Sequence, residues 1–181
     1  GRLRLAGIMK YVIVGNGAAG SEASAQIRKH DESGEVYLIS ECPYPYYYKP
    51  RLIDYLAGTV SRGQFVIHKN GYYEQNNITF IPNTRVASVD TETRSVFAGD
   101  GTQYEYDKLL LATGARCFIP DIAGADKQGV FTIRGIRDCD ELIEYVRERH
   151  AIAIIGGGVL GLEIANSLIA QGHHSVSVIE I

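Results

Sequence analysis

The sequence predicts an α/β fold in which one strand–turn–helix–strand unit is used twice, with an antiparallel β insert between the copies and the second copy incomplete. Three observations predict it. An apolar run at residues 10–14 leads directly into Gly15, Gly17 and Gly20, and the same arrangement returns at residues 151–155 ahead of Gly156, Gly158 and Gly161. Between them, short alternating segments flank Gly99-Asp100-Gly101, a hairpin turn signal.

In the first unit Tyr11, Val12, Ile13 and Val14 are aromatic and β-branched, as in a strand buried on both faces of a parallel sheet. A helix follows, with Ala18, Ala19, Ala23, Ala25 and Ile27 at helical spacing and Ser21, Glu22, Gln26 and Arg28 assigned to other faces. Gly15 permits a tight turn, Gly17 lets the backbone approach a diphosphate, and Gly20 lets helix and strand pack closely. A diphosphate would sit on the unpaired N–H groups at the positive end of the helix dipole. Residues 35–40 form the next strand and deliver Glu41, whose carboxylate can hold a ribose hydroxyl pair. Glu41 stands 26 residues after Gly15, and Asp31, Glu32, Ser33 and Gly34 account for the long spacing as an extended turn.

Composition bounds the partners. A net charge of −3 without a basic block argues against nucleic acid and anionic membrane surfaces, and the hydrophobic share of 45% is that of a soluble globular chain. No apolar run is long enough to span a membrane, and residues 1–8, ahead of the single methionine Met9, read as a tag or frayed terminus, so a cytoplasmic protein is expected. Cys42, Cys117 and Cys139 lack the spacing of a metal site or a redox dithiol, and His173-His174 reads as a solvated pair in a turn; no metal is expected.

Residues 42–52 (Cys-Pro-Tyr-Pro-Tyr-Tyr-Tyr-Lys-Pro-Arg-Leu) are either a stiff loop with tyrosine wedges or a cationic wall, with Lys49, Pro50 and Arg51 beside a polyanionic ligand. Their place behind Glu41, at the carboxyl edge of the sheet, favours the ligand. Helices are expected at 52–57, stopped by Gly58, and at 69–76. Strands are expected at 78–81 and 84–90, with 94–98 and 103–106 around the hairpin turn; these form the insert, polar at alternate positions. Residues 108–112 form another buried strand ending in Thr113-Gly114, where a small-residue exit either admits a ligand or simply turns the chain. Pro120, Gly124 and Gly129 mark a boundary near 118–128, separating a first domain at 9–120 from a second at 121–181. A strand at 130–133 and a helix from Asp138 to about Arg149 lead into the second glycine turn. The helix after it runs through Ala170, and residues 175–179 deliver Glu180, 24 residues after Gly156. Two Rossmann-like units with every part in place mean two dinucleotide sites. An acid at Glu180 favours a free ribose 2′-hydroxyl, hence NADH over NADPH.

The paired units, Tyr-Tyr-Lys-Pro-Arg-Leu, Leu-Leu-Leu-Ala-Thr-Gly-Ala and Gly-Gly-Gly-Val-Leu-Gly-Leu-Glu together resemble the FAD-dependent pyridine nucleotide-disulfide oxidoreductase superfamily, over residues 10–181. The nearest resemblance is to the NADH:rubredoxin oxidoreductase and nitrite reductase flavoprotein branch. It implies an FAD/NAD(P)-binding fold with FAD on the first unit, NADH on the second, and hydride passing from nicotinamide to flavin. It further implies that Gly15, Gly17, Ala18, Ala19, Gly20, Glu41, Cys42, Lys49, Pro50, Arg51, Val86, Ala112, Thr113 and Gly114 contact FAD, and that Gly156, Gly158, Val159, Leu160, Gly161, Glu163 and Glu180 contact NADH. Lys49 and Glu163 are the candidate catalytic residues. Lys49 replaces the usual arginine of a Tyr-x-Arg-Pro motif and loses its bidentate fork; Glu163 matches an acid near the nicotinamide, though a solvated helix residue would look the same. The family's dithiol is absent. Arg51 occupies the place of the single catalytic cysteine of related oxidases, and Asp54 the place of a lysine in ferredoxin reductases.

The resemblance implies further strands and a segment returning to the flavin, so the chain is expected to be a fragment, its remainder missing or on another chain, with weak FAD binding on its own. The acceptor would be a small redox protein such as rubredoxin, a nitrite reductase centre, a quinone or oxygen. The alternative is a non-catalytic nucleotide-binding module completed by a partner.

Overall fold

The computed structural model describes residues 7–69, 71–148 and 151–180. In chain order the elements are β1 (Lys10–Val14), α1 (Ala18–His30), β2 (Glu35–Ile39), a 3-10 turn (Lys49–Arg51), α2 (Leu52–Leu56), α3 (Arg62–Phe65), α4 (Tyr72–Gln75) and β3 (Ile78–Ile81). There follow β4 (Val86–Asp90), β5 (Ser95–Ala98), β6 (Gln103–Glu105), β7 (Lys108–Leu111), α5 (Ile136–Val146), β8 (Ala151–Ile155), α6 (Val159–Ala170) and β9 (Ser175–Ile179). The chain divides into two compact units, one of residues 1–47 and 66–114, the other of residues 48–65 and 115–181.

The first unit is built on a parallel sheet of order β3-β2-β1-β7. Val12, Ile13 and Val14 are buried because β1 is central and covered on both faces. On one face Ile13, Val36, Leu38, Tyr73 and Ile78 form a core with Ala23 and Ile27 of α1 against it. On the other, Val12, Val14 and Ile39 meet Val96 from the antiparallel sheet β4-β5-β6. Each fully buried aliphatic side chain contributes about 1.5–3 kcal/mol.

Three expectations change here. Residues 78–81 are not part of the antiparallel insert: β3 pairs in parallel with β2, from Val36↔Ile78 to Ile39↔Ile81. The buried face of α1 is Gly20, Ser21 and Ser24, while Ala18 and Ala19 are exposed. Small hydroxyl residues suit that face because each finds a partner there: Ser24 Oγ donates to the Ser21 carbonyl at 2.8 Å, and Ser21 Oγ lies 2.6 Å from His68 Nε2. Among the described residues strand β7 is an edge rather than a buried strand: it pairs there only with β1, and Leu110 and Leu111 are 38% and 60% exposed.

In the second unit β8 and β9 pair in parallel from Ala151↔Ser175 to Ile155↔Ile179. Leu56, Leu142, Val146 and Leu168 form its core, with Ile152, Ile154 and Val176 packed against them. The 48–65 segment is fastened to α5 and α6. Asp140 accepts from Tyr55 Oη and from Arg62 Nη2, both at 2.6 Å, and Ser167 Oγ donates to the Ile53 carbonyl at 3.3 Å. The strand expected at 130–133 is irregular chain, because Phe131 and Ile133 are spent on packing into this core and the stretch has no strand partner among the described residues. Helix α5 starts at Ile136, two residues before Asp138, and is assigned only as far as Val146. The expected end at Arg149, and most of the terminus at 1–8, lie outside the described residues. The 69–76 helix shortens to Tyr72–Gln75, with Asn70 likewise outside them.

Candidate dinucleotide sites

The turn after β1 is drawn tight by two bonds: Gly15 N–H donates to the Ile39 carbonyl, and Ala112 N–H to the Val14 carbonyl, both at 2.8 Å. Gly15 has φ +112°, and a Cβ there would run into the Ala112 carbonyl, so glycine is required on both counts. At Gly20 a Cβ would meet the Gly15 carbonyl and, at 3.3 Å, Ile13 Cγ2. Gly17 differs: a Cβ there would meet nothing within 4 Å. No packing among the described residues explains that glycine, while a ligand approaching the backbone would.

The second unit repeats this geometry. Gly156 has φ +107° and its N–H donates to the Ile179 carbonyl at 2.8 Å. Gly161 faces the Gly156 carbonyl and Ile154 Cγ2, and Gly158 opens on empty space. In both units the helix starts at a glycine with no side-chain cap and no acid in its first turn. Helix α5 also starts at a glycine but carries an acid in its first turn, Asp138, whose Oδ2 accepts from the backbone N–H of Arg134 at 2.7 Å and of Gly135 at 2.8 Å. The starts of α1 and α6 thus present N–H groups and positive dipole ends to an open cradle, which fits a diphosphate.

Within the first unit the fold brings Gly15, Gly17, Ala18, Ala19, Gly20, Glu41, Cys42, Ala112, Thr113 and Gly114 to the carboxyl ends of β1, β2 and β7, where ligands of parallel sheets bind. Val86 opens β4 near the same edge, since Thr84 N–H donates to the Ser40 carbonyl at 2.8 Å. Glu41 is exposed and Cys42 half-buried, its N–H donating to Ser40 Oγ at 3.1 Å. Lys49, Pro50 and Arg51 lie in the second unit; all three are exposed, and Arg51 Nε pairs with Asp54 Oδ2 at 3.0 Å. Also in that unit Glu180 reaches back and accepts from Gly157 N–H, while Val159, Leu160 and Glu163 are exposed on α6.

The glycine pattern did not signal one group of residues. Asn16 Nδ2 donates to the buried Tyr73 hydroxyl, and His68 Nε2 lies 2.6 Å from Ser21 Oγ. Burial holds the His68 imidazolium unfavourable, lowering its pKa, and raises that of Tyr73. Their only trace in sequence is an asparagine inside the first glycine turn where the second has Gly157. Among the described residues no cluster of three or more His, Cys, Asp or Glu could hold a metal, and no helix is long and apolar enough to cross a membrane.

Residues 9–181 match the family model described as pyridine nucleotide-disulphide oxidoreductase. The chain is 36% identical over 176 residues to nitrite reductase [NAD(P)H] of Bacillus subtilis, covering 97% of this chain and 22% of that protein. It is 34% identical over 173 residues to rubredoxin-NAD(+) reductase of Ectopseudomonas oleovorans, covering 95% and 45%. The crystal structure of NADH:rubredoxin oxidoreductase from Clostridium acetobutylicum superposes with a TM-score of 0.85 at 29% identity, over 97% of this chain and 45% of that one. The chain thus spans less than half the length of these relatives.

Proposed function

Since the chain belongs to the pyridine nucleotide-disulphide oxidoreductase family, we propose that it carries the FAD site and the NADH site of a flavin-dependent oxidoreductase that passes electrons to a redox partner. FAD and NADH, when bound, supply hydride-transfer chemistry; the chain's residues bind and orient them. The single observation that carries this reading is the repeated uncapped helix start, with Gly17 and Gly158 both opening on space. In the first unit the N–H groups after Gly17 take the FAD diphosphate, Glu41 the adenosine ribose, and Ala112-Thr113-Gly114 lies along the cofactor. In the second, Gly158 to Gly161 takes the NADH diphosphate, Glu180 the ribose hydroxyls, and Glu163 stands toward the nicotinamide. An acid at Glu180 disfavours a 2′-phosphate by like charge, which supports NADH over NADPH.

No protein thiol is assigned a step. Cys139 is fully buried, with its thiol pushed up to about 12 by burial and by the neighbouring Asp138 and Asp140. The names of the relatives support a small redox protein or a nitrite reductase centre as the electron acceptor. The test is the visible spectrum of the intact protein under anaerobic conditions. A flavin band that NADH bleaches is expected; nucleotide binding without bleaching would favour a non-catalytic module.

A further inference from the structure

The first glycine turn is braced from the side by groups outside the glycine pattern. Tyr73, on α4 and 5% exposed, receives at its phenol oxygen the Asn16 Nδ2–H at 2.8 Å and the Tyr46 backbone N–H at 3.0 Å. Asn16 lies between Gly15 and Gly17, and Tyr46 in the segment after β2, so one hydroxyl joins the turn to that segment. A second brace stands beside it. His68 stacks on Tyr72 with centroids 3.5 Å apart and planes within 5°, its Nε2 lies 2.6 Å from Ser21 Oγ of α1, and its backbone N–H donates to the Tyr46 carbonyl at 3.2 Å.

The asparagine itself is informative. The second turn needs no side chain at the corresponding Gly157, whose N–H is taken by Glu180 instead. Asn16 Oδ1, moreover, is buried without a hydrogen-bond partner among the described residues, an unfavourable arrangement that bonding to Tyr73 at the other end of the amide only partly offsets. Such a cost is retained where it serves a site rather than stability.

We propose that Tyr73 and Asn16 are positioning residues for FAD: the phenol, acting through the Asn16 amide, fixes the glycine turn so that the N–H groups at the start of α1 converge on the diphosphate. The inference rests on the FAD reading of the first unit. Tyr73→Phe keeps the ring on Phe80, where the centroids are 4.4 Å apart, and removes only the bridge.

The experiment is a double-mutant cycle in the intact protein, stripped of flavin and titrated with FAD and separately with NADH. Tyr73→Phe and Asn16→Ala are each expected to weaken FAD binding about ten-fold, and the double variant no further, because both break the Asn16–Tyr73 bond that fixes the turn. NADH affinity should be unchanged throughout, which a general loss of folding would not allow. Additive losses, or wild-type FAD affinity in both single variants, would overturn the proposal. Should Tyr73→Phe not fold, Asn16→Ala alone decides: unaltered FAD affinity sinks the proposal, and a ten-fold loss with NADH binding intact supports it. A wild-type protein that takes up no FAD would instead remove the FAD reading and this inference with it.

Discussion

Gly17 and Gly20 are three positions apart in one turn and answer to different constraints. Gly20 is closed in by the Gly15 carbonyl and Ile13, whereas Gly17 has nothing within 4 Å of a Cβ position. Gly20→Ala is therefore expected to cost about 2–3 kcal/mol in urea unfolding through overpacking. Gly17→Ala, at a helix N-cap, should cost less than about 1 kcal/mol while abolishing or sharply weakening FAD binding. Equal stability losses in both would contradict the assignment of Gly17 to a ligand. The cysteines separate by environment in the same way. Cys117 is exposed, whereas Cys139 is fully buried with its pKa pushed up to about 12. At mildly alkaline pH a thiol-specific disulfide reagent should label Cys117 rapidly and Cys139 only after denaturation; comparable rates in the native protein would refute this. The glycines were legible in sequence because only glycine tolerates φ near +110° or so close a backbone contact. The Tyr73–Asn16 bridge was not, because it joins residues 57 positions apart through side chains that carry no periodic signal.

At the scale of elements, helix starts divide by what satisfies them. Helix α5 is closed by its own Asp138, so Asp138→Ala should lower stability by about 1 kcal/mol and leave both nucleotide affinities unchanged, as thermal melts and titrations would show. A change in NADH affinity in that variant would mean that α5 takes part in the site. Strand and helix identities followed from apolar periodicity where segments were long. Short ones depended on partners: residues 130–133 carry strand-forming side chains yet find only a packing role, and residues 78–81 join β2 because an edge position was open beside it. Pattern specifies which face is apolar, and the neighbour that covers it is set by the folded chain.

Across the whole molecule one turn recurs, and on the proposed reading, in which each copy carries a nucleotide, the two should be separable by mutation. Gly158→Ala, at a position as open as Gly17, is expected to leave a yellow protein that NADH no longer bleaches, while Gly17→Ala should yield a colourless protein that still binds NADH. Loss of both ligands from either variant would argue against two independent cradles. The sequence by itself determined the α/β class, the two glycine turns and the acids at Glu41 and Glu180, because each is a local pattern of residue types at short range. Tertiary structure alone decided that β3 completes the parallel sheet, that Ser21 and Ser24 are buried on α1 while Ala18 and Ala19 are exposed, and that the 48–65 segment packs with α5 and α6. It also decided that Tyr73 braces the first turn. These are pairings between residues distant in sequence, and their free energy depends on what burial leaves without water, which no local pattern records.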